Sequence, residues 1–280
     1  MTPIEFLPAA KFFKNMKTKT ILALALTAAT FAGLTPVPAQ QNPLAERQRP
    51  VEVHPPDMDL IDDQKSEIGF MPIFNGKDLT GWDGSPDLWS VKEGVITGQT
   101  SVEHPAKENT FLIWTNGVVD DFELRCSFKL TPGDAAAFAN SGVQYRSRVV
   151  KPSYWVVSGY QADMENGKSY TGNVYEEKGR GTMAQRGEKV LWGADGKKQV
   201  VGSVGDAAAI EASIKKDGWN DYTIIAKGNH IVQILNGHVT VDLTDEEDAK
   251  AAKSGIVALQ IHAGHPMMCQ FKNIRIKSLK

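Results

Sequence analysis

Three short segments carry most of the side chains that could do chemistry. In residues 142–148 (GVQYRSR), Gln144, Arg146 and Arg148 alternate with Val143, Tyr145 and Ser147. In residues 159–165 (GYQADME), Gln161, Asp163 and Glu165 alternate with Tyr160, Ala162 and Met164. In residues 259–262 (LQIH), Gln260 and His262 alternate with Leu259 and Ile261. Successive strand side chains point to opposite faces, so each segment presents a polar stripe backed by an apolar one. Such stripes can be ordinary solvated outer faces. These, however, carry Gln, Arg, Asp and His rather than Lys, Glu and Thr. If the three strands are neighbours in one sheet, the stripes merge into a groove of amides, carboxylates, guanidinium and imidazole, which suits a neutral, hydroxyl-rich ligand such as a sugar.

Other chemistries have less support. Asp163 and Glu165 share a strand face, but the spacing alone does not set the carboxyl separation that two-carboxylate glycoside hydrolysis requires. His262, His265 and Asp163 could meet at a metal, although a hydrogen-bonded structural histidine is the commoner outcome; no metal and no cofactor are expected. There is no GxSxG, GxxxxGK[ST], HExxH or CxxC motif. The ExDxxE strand typical of sandwich-fold endoglucanases is also missing. With 31 basic and 33 acidic side chains the chain has no positive surplus for counterion-driven binding, so a nucleic-acid partner is not expected. Two cysteines, Cys126 and Cys269, exclude a disulfide framework and read as small buried apolar residues.

The elements that must position these residues follow from the pattern of the 280-residue chain. Residues 1–39 have the layout of a secretory signal: Lys11, Lys14, Lys17 and Lys19, an apolar run over 21–34, then Val37-Pro38-Ala39 before the expected cleavage site. The run is too short for a comfortable membrane span, and no cysteine stands near the cleavage site to carry a lipid anchor. A periplasmic or secreted protein without a stable membrane anchor is expected, and an oxidising compartment would permit a disulfide. Residues 40–69, rich in Pro, Gln and acids, read as an arm or linker.

From residue 70 onward, short apolar runs broken by Gly, Asn and Asp predict a single all-β domain over 70–280. The clearest strand is 122–130 (FELRCSFKL), with strict alternation over nine residues. Further strands are predicted at 89–91, 95–97, 111–114, 142–148, 159–165, 221–227, 230–235, 238–243, 255–262 and 269–276. Asn236-Gly237 between two apolar runs predicts a hairpin. Residues 245–253 (DEEDAKAAK), with acids first and lysines last, predict the one helix. The expected fold is a two-sheet antiparallel β-sandwich with at most one or two short helices. Trp82, Trp89, Trp155 and Trp219 could stack on sugar rings, though core packing suits most of them better.

Taken in order, IFNGKDLTGW (73–82), DFELRCSF (121–128), NSGVQYRS (140–147), SGYQADME (158–165), VYEEKGRG (174–181), GWNDYTIIAKG (218–228), ILNGHVTVD (234–242) and GIVALQIHAG (255–264) are jointly specific. Over residues 69–279 the chain resembles the 3-keto-disaccharide hydrolase domain family, 3-keto-glucoside 1,2-lyases and 3-keto-2-hydroxyglucal hydratases. It departs where the family often reads YDE and here Tyr175-Glu176-Glu177 stands, and where HAGHPMMCQ replaces an HGGPPMEVR-like run. The resemblance implies a concanavalin A-like jelly roll acting on a 3-keto-sugar or glycoside outside the cytoplasm. It implies Asp163 or His262 as base, Arg146 with Gln161 on the keto or enolate oxygen, and Glu177 or Glu176 as acid. Gln144, Glu165, Arg180 and Gln260 would bind substrate hydroxyls. A surface ion pair is the alternative role for Glu176, Glu177 and Arg180, and a non-catalytic carbohydrate-binding module is the alternative function.

Overall fold

The computed structural model describes residues 67–280 except Ala137 and Lys168, so the expected leader and most of the expected arm lie outside the described residues. The chain forms two facing sheets. Strands are numbered in chain order: β1 (Met71–Pro72), β2 (Trp82–Asp83), β3 (Trp89–Lys92), β4 (Val95–Gln99), β5 (Thr110–Trp114), β6 (Phe122–Pro132), β7 (Asn140–Lys151), β8 (Val156–Glu165), β9 (Val174–Glu177) and β10 (Gly181–Ala184). They continue as β11 (Glu188–Trp192), β12 (Lys198–Ser203), β13 (Asn220–Lys227), β14 (His230–Leu235), β15 (His238–Asp245), β16 (Ile256–Ile261) and β17 (Met267–Ser278). The larger sheet runs β12-β11-β15-β14-β13-β6-β17-β4-β3, with β1 added on β17. The smaller runs β10-β9-β8-β7-β16-β5-β2. Pairing is antiparallel apart from β11 with β15, which is parallel.

Alternation explains why the sheets meet. Along β6, Phe122, Leu124, Cys126, Phe128 and Leu130 are all buried, while Arg125 on the outer face pairs with Glu123 and with Glu67, which docks the start of the domain. From the smaller sheet, Val143, Tyr145, Tyr160, Ala162, Met164, Leu259 and Ile261 enter the same core. Tyr145 stacks on Tyr160 with ring centroids 5.8 Å apart. Each large apolar side chain fully buried here contributes about 1.5–3 kcal/mol. Cys126 and Cys269 are free and buried, and burial pushes both thiols up to about 12. Trp82 and Trp89 also belong to the core, whereas Trp155 packs on a second apolar cluster around Phe111 and Val157.

The predicted strands all appear, and the hairpin at Asn236-Gly237 joins β14 to β15. The helix over 245–253 does not form. Asp245 is fully buried as the last residue of β15, where it accepts hydrogen bonds from Arg180, and Glu246 N donates to the Trp192 carbonyl at 2.8 Å. Tertiary partners outbid the favourable charge order, and only one turn follows. Among the described residues the α-helix is instead α1 (Ala207–Ala212), capped by Asp206, whose carboxylate accepts from Ala208 N at 2.9 Å.

Candidate active site

In the smaller sheet β8 lies beside β7, and β7 beside β16, so Gln144, Gln161, Asp163 and Gln260 share one face. Register sets Gln144 opposite Gln161, Gly142 opposite Asp163, and Ala258 opposite Gln144. On the far side, β9 sets Tyr175 opposite Gln161 and Glu177 opposite Gly159. This face carries a cavity of about 440 Å³, within the usual size range of small-ligand sites. Gln161, Asp163, Glu177, Gln260 and His262 line it. So do Asn109, Phe138, Asn140, Tyr170, Tyr175 and Thr182, which the sequence reading did not single out. Asn140 was within reach of the same argument, since it is in phase with Gly142 and Gln144. The others come from loops and from strands too short to show a period.

Two glycines make room for neighbouring side chains in this sheet. A Cβ on Gly142 would stand 2.5 Å from Gln161 Cδ, and one on Gly159 would stand 2.7 Å from Ser147 Cα. Asp163 Oδ1 accepts from Met164 N at 3.0 Å and from Gln161 Nε2 at 3.3 Å. Burial nonetheless outweighs these bonds and raises its pKa to about 7. Glu177 is also raised, by burial, against the opposing influence of Asn109, Lys178 and His262. Its oxygens take long hydrogen bonds from Asn109 Nδ2 at 3.4–3.5 Å and from Gln260 Nε2 at 3.4 Å. Tyr175, between the two carboxyls, is raised by its burial and then by Glu177 and Asp163.

His262 Nδ1 lies 2.5 Å from the Ala263 carbonyl oxygen, which can only accept, so Nδ1 carries a hydrogen. In the neutral ring the lone pair is therefore on Nε2. The edge of Phe138 packs against the ring at 5.8 Å, and Ala263 N donates to Asn109 Oδ1 at 3.1 Å, which ties this strand end to the residue that also holds Glu177. His265, by contrast, pairs with the surface residue Asp134.

Five expected site residues do not line the cavity. Arg146 has φ 47°, and the β7–β8 register slips between Tyr145 and Arg148, so its side chain leaves the stripe begun by Gln144. Its buried guanidinium donates to the carbonyls of Asp120 at 2.7 Å and Gly228 at 2.6 Å and pairs with Asp121 at 3.0 Å. Glu165 does not line the cavity; its carboxylate accepts from Ser169 N and Tyr170 N and so caps the loop that brings Tyr170 in. Glu176 alternates with Glu177 and faces the other side of β9, where Arg180 binds it at 2.7 Å. Arg180 also pairs with Asp245 and Glu247 and lies over Trp192, which joins the two sheets instead of binding a ligand. Gln144 lies beneath the cavity, fully buried, with its amide 2.8 Å from that of Gln161.

A cavity lined by amides, hydroxyls and two protonatable carboxyls, set on one face of a β-sandwich, marks a carbohydrate-active protein. The model of the 3-keto-alpha-glucoside-1,2-lyase-like domain matches residues 69–277, and the chain belongs to that family. Two crystal structures of candidate glycosyl hydrolases from Parabacteroides distasonis ATCC 8503 are similar. One has 21% identity and a TM-score of 0.48, covering 75% of this chain and 99% of that one. The other has 20% identity and a TM-score of 0.49, covering 79% and 99%. A Bacillus subtilis protein of galectin-like fold is similar at 9% identity and a TM-score of 0.46, covering 75% and 94%. No curated protein matches the chain.

Proposed function

We propose that the protein cleaves 3-keto-glycosides by elimination and hydrates the resulting glucal, for net hydrolysis. The observation that carries this reading is the hydrogen-bonded His262 Nδ1, which leaves Nε2 as a free base in a cavity that also holds two carboxyls of raised pKa. A ketone at C3 acidifies the C2 hydrogen, so a positioned base can remove it. His262 Nε2 takes that proton, and charge develops on the C3 oxygen. Asp163, half protonated near pH 7, donates a hydrogen bond to that oxygen.

Collapse of the enolate breaks the C1–O bond, and Glu177, whose pKa burial raises, gives its proton to the departing oxygen. The proximity of Glu177 to His262 suits adjacent events at C1 and C2. Hydration then runs in reverse: Glu177 takes a proton from water as its oxygen bonds C1, and His262 returns a proton to C2. Gln161 and Gln260 on the cavity wall orient hydroxyls, and the leader pattern of residues 1–39 supports action outside the cytoplasm.

The test is incubation of the enzyme with a chromogenic 3-keto-glucoside in deuterium oxide. Deuterium at C2 and release of the chromophore are expected. Saturable binding with neither exchange nor release would establish a carbohydrate-binding module instead.

A further inference from the structure

Tyr170 lines the cavity and keeps 45% of its surface exposed, although the loop that carries it is tied down at both ends. The loop leaves β8 at Glu165, whose carboxylate accepts from Ser169 N at 3.2 Å and from Tyr170 N at 3.0 Å. The Tyr170 carbonyl accepts from Asn173 N at 2.9 Å, so both backbone polar groups of this residue are held. Thr171 Oγ1 donates to the Glu165 carbonyl at 2.7 Å and accepts from Glu165 N at 2.8 Å, and Arg186 Nη1 donates to the Thr171 carbonyl at 2.7 Å. The loop then rejoins the site. Gly172 N donates to the Asp163 carbonyl at 3.2 Å, and Asp163 N donates to the Asn173 carbonyl at 3.1 Å. The backbone of Tyr170 is thereby fixed relative to that of Asp163, whose side chain lines the same cavity.

An aromatic ring held at a cavity by a pre-ordered backbone loses little further freedom when a ligand settles on it. A pyranose offers such a ring the apolar face made by its axial C–H bonds, and turns its hydroxyls outward to polar groups. The rest of the lining supplies those groups, with Asn109, Asn140, Gln161 and Gln260 among them. Phe138, the aromatic residue from the facing loop, is already engaged edge-on with His262 at 5.8 Å and His265 at 6.0 Å.

We propose that Tyr170 binds substrate by stacking on the C–H face of the pyranose ring, and that Glu165 is a positioning residue that acts through Tyr170 by holding the Ser169 and Tyr170 amides. This rests on the reading of the cavity as a sugar site. Glu165 thus serves binding without meeting a substrate hydroxyl, in keeping with its place outside the cavity lining. Stacking recognises the C–H face and not the ketone, so it sets affinity for the ring while the reacting groups deal with C1 to C3.

The experiment is a calorimetric titration with the 3-keto derivative of 1,5-anhydroglucitol, a pyranose with no exocyclic oxygen at C1 to expel, so that binding is read without turnover. Tyr170→Ala is expected to raise Kd about tenfold, the worth of one aromatic contact, while Tyr170→Phe, which keeps the ring, stays within about twofold of the parent. Glu165→Ala should weaken binding several-fold, and Glu165→Gln, which keeps an oxygen for the two amides, should recover most of the loss. Adding Glu165→Ala to Tyr170→Ala should cost nothing further, because the two act through one ring. An unchanged Kd in Tyr170→Ala overturns the proposal, as does a parent that shows no saturable binding. Additive losses in the double variant, or equal losses in Glu165→Gln and Glu165→Ala, overturn the positioning role of Glu165, since its carboxylate would then act on the ligand or, by its charge, on Asp163. Release of chromophore from a 3-keto-glucoside is measured separately. Release with binding that ignores Tyr170 sinks this proposal alone, and binding that depends on Tyr170 without release sinks the proposed reaction alone.

Discussion

Gln260 Nε2 donates to Glu177 Oε2 at 3.4 Å although Gln260 stands on β16 and Glu177 on β9, with β7 and β8 between them. In a flat sheet those backbones would be about 14 Å apart, beyond comfortable reach. The sheet therefore wraps around the cavity, and Gly142 on β7 leaves room for the cavity-lining Gln161. Gln260 Oε1 is buried without a partner, so only half of this amide is satisfied. Gln260→Leu removes that unsatisfied oxygen together with the donor to Glu177. Turnover is expected to fall about tenfold, in line with losing a bond to a charged or ionisable group, while the melting temperature holds or rises. Full turnover in the variant would show that the contact across the cavity does not position Glu177.

Gly142 owes its identity to a neighbour and not to its backbone, since its φ is not positive. Gly142→Ala would drive a methyl into Gln161, with closest approach 2.5 Å, and should lower both activity and stability by about 1–3 kcal/mol for the packing alone. Combining it with Gln161→Ala should recover the stability but not the activity. A thermal melt of the double variant checks this: no recovery means that the methyl clashes with something other than Gln161.

Asp163 makes stability depend on pH in a calculable direction. Its pKa is raised from 3.8 unfolded to about 7 folded by burial, so its contribution is full below about pH 4 and is lost as pH rises through 7. The whole effect is roughly 4 kcal/mol at most. Asp163→Asn, neutral at every pH, should melt higher than the parent at pH 8 and level with it near pH 4, while turnover is lost. Calorimetry at the two pH values decides it, and an equal gap at both would remove Asp163 as the source.

Arg146 shows where sequence reading stops. Alternation located Gln161, Asp163, Gln260 and His262 on a common face because each strand keeps its period through those residues. It misplaced Arg146 because a left-handed residue breaks the period, and sequence does not announce a bulge at an arginine. Glu177 entered through the family resemblance, since the four-residue β9 is too short for a pattern, and the same brevity hid Tyr175 and the turning away of Glu176. The charge order of 245–253 was a true helix signal overruled by the burial of Asp245 against Arg180, a contact between residues 65 apart in the chain that no local window contains. Arg146→Ala should accordingly cost about 3–5 kcal/mol of stability, the expense of leaving its buried partners unmatched, with kcat and KM of the folded fraction unchanged. A selective loss of kcat at full stability would restore it to the reaction.

His262 carries the sharpest prediction, because its hydrogen bond to Ala263 fixes which nitrogen can act. His262→Gln keeps a polar side chain of similar reach that can still meet the Ala263 carbonyl through its amide nitrogen, but has no basic atom left for C2. Binding of a 3-keto-glucoside should persist within a few-fold, while exchange of the C2 hydrogen falls by 100- to 10,000-fold, the usual worth of a positioned general base. If Asp163 were the base instead, exchange in His262→Gln would remain within about tenfold of the parent and would still rise with pH through 7. Measuring exchange separately from aglycone release matters here. A variant that exchanges but does not release has lost the acid, which assigns the defect to Glu177, whereas one that does neither has lost the first step.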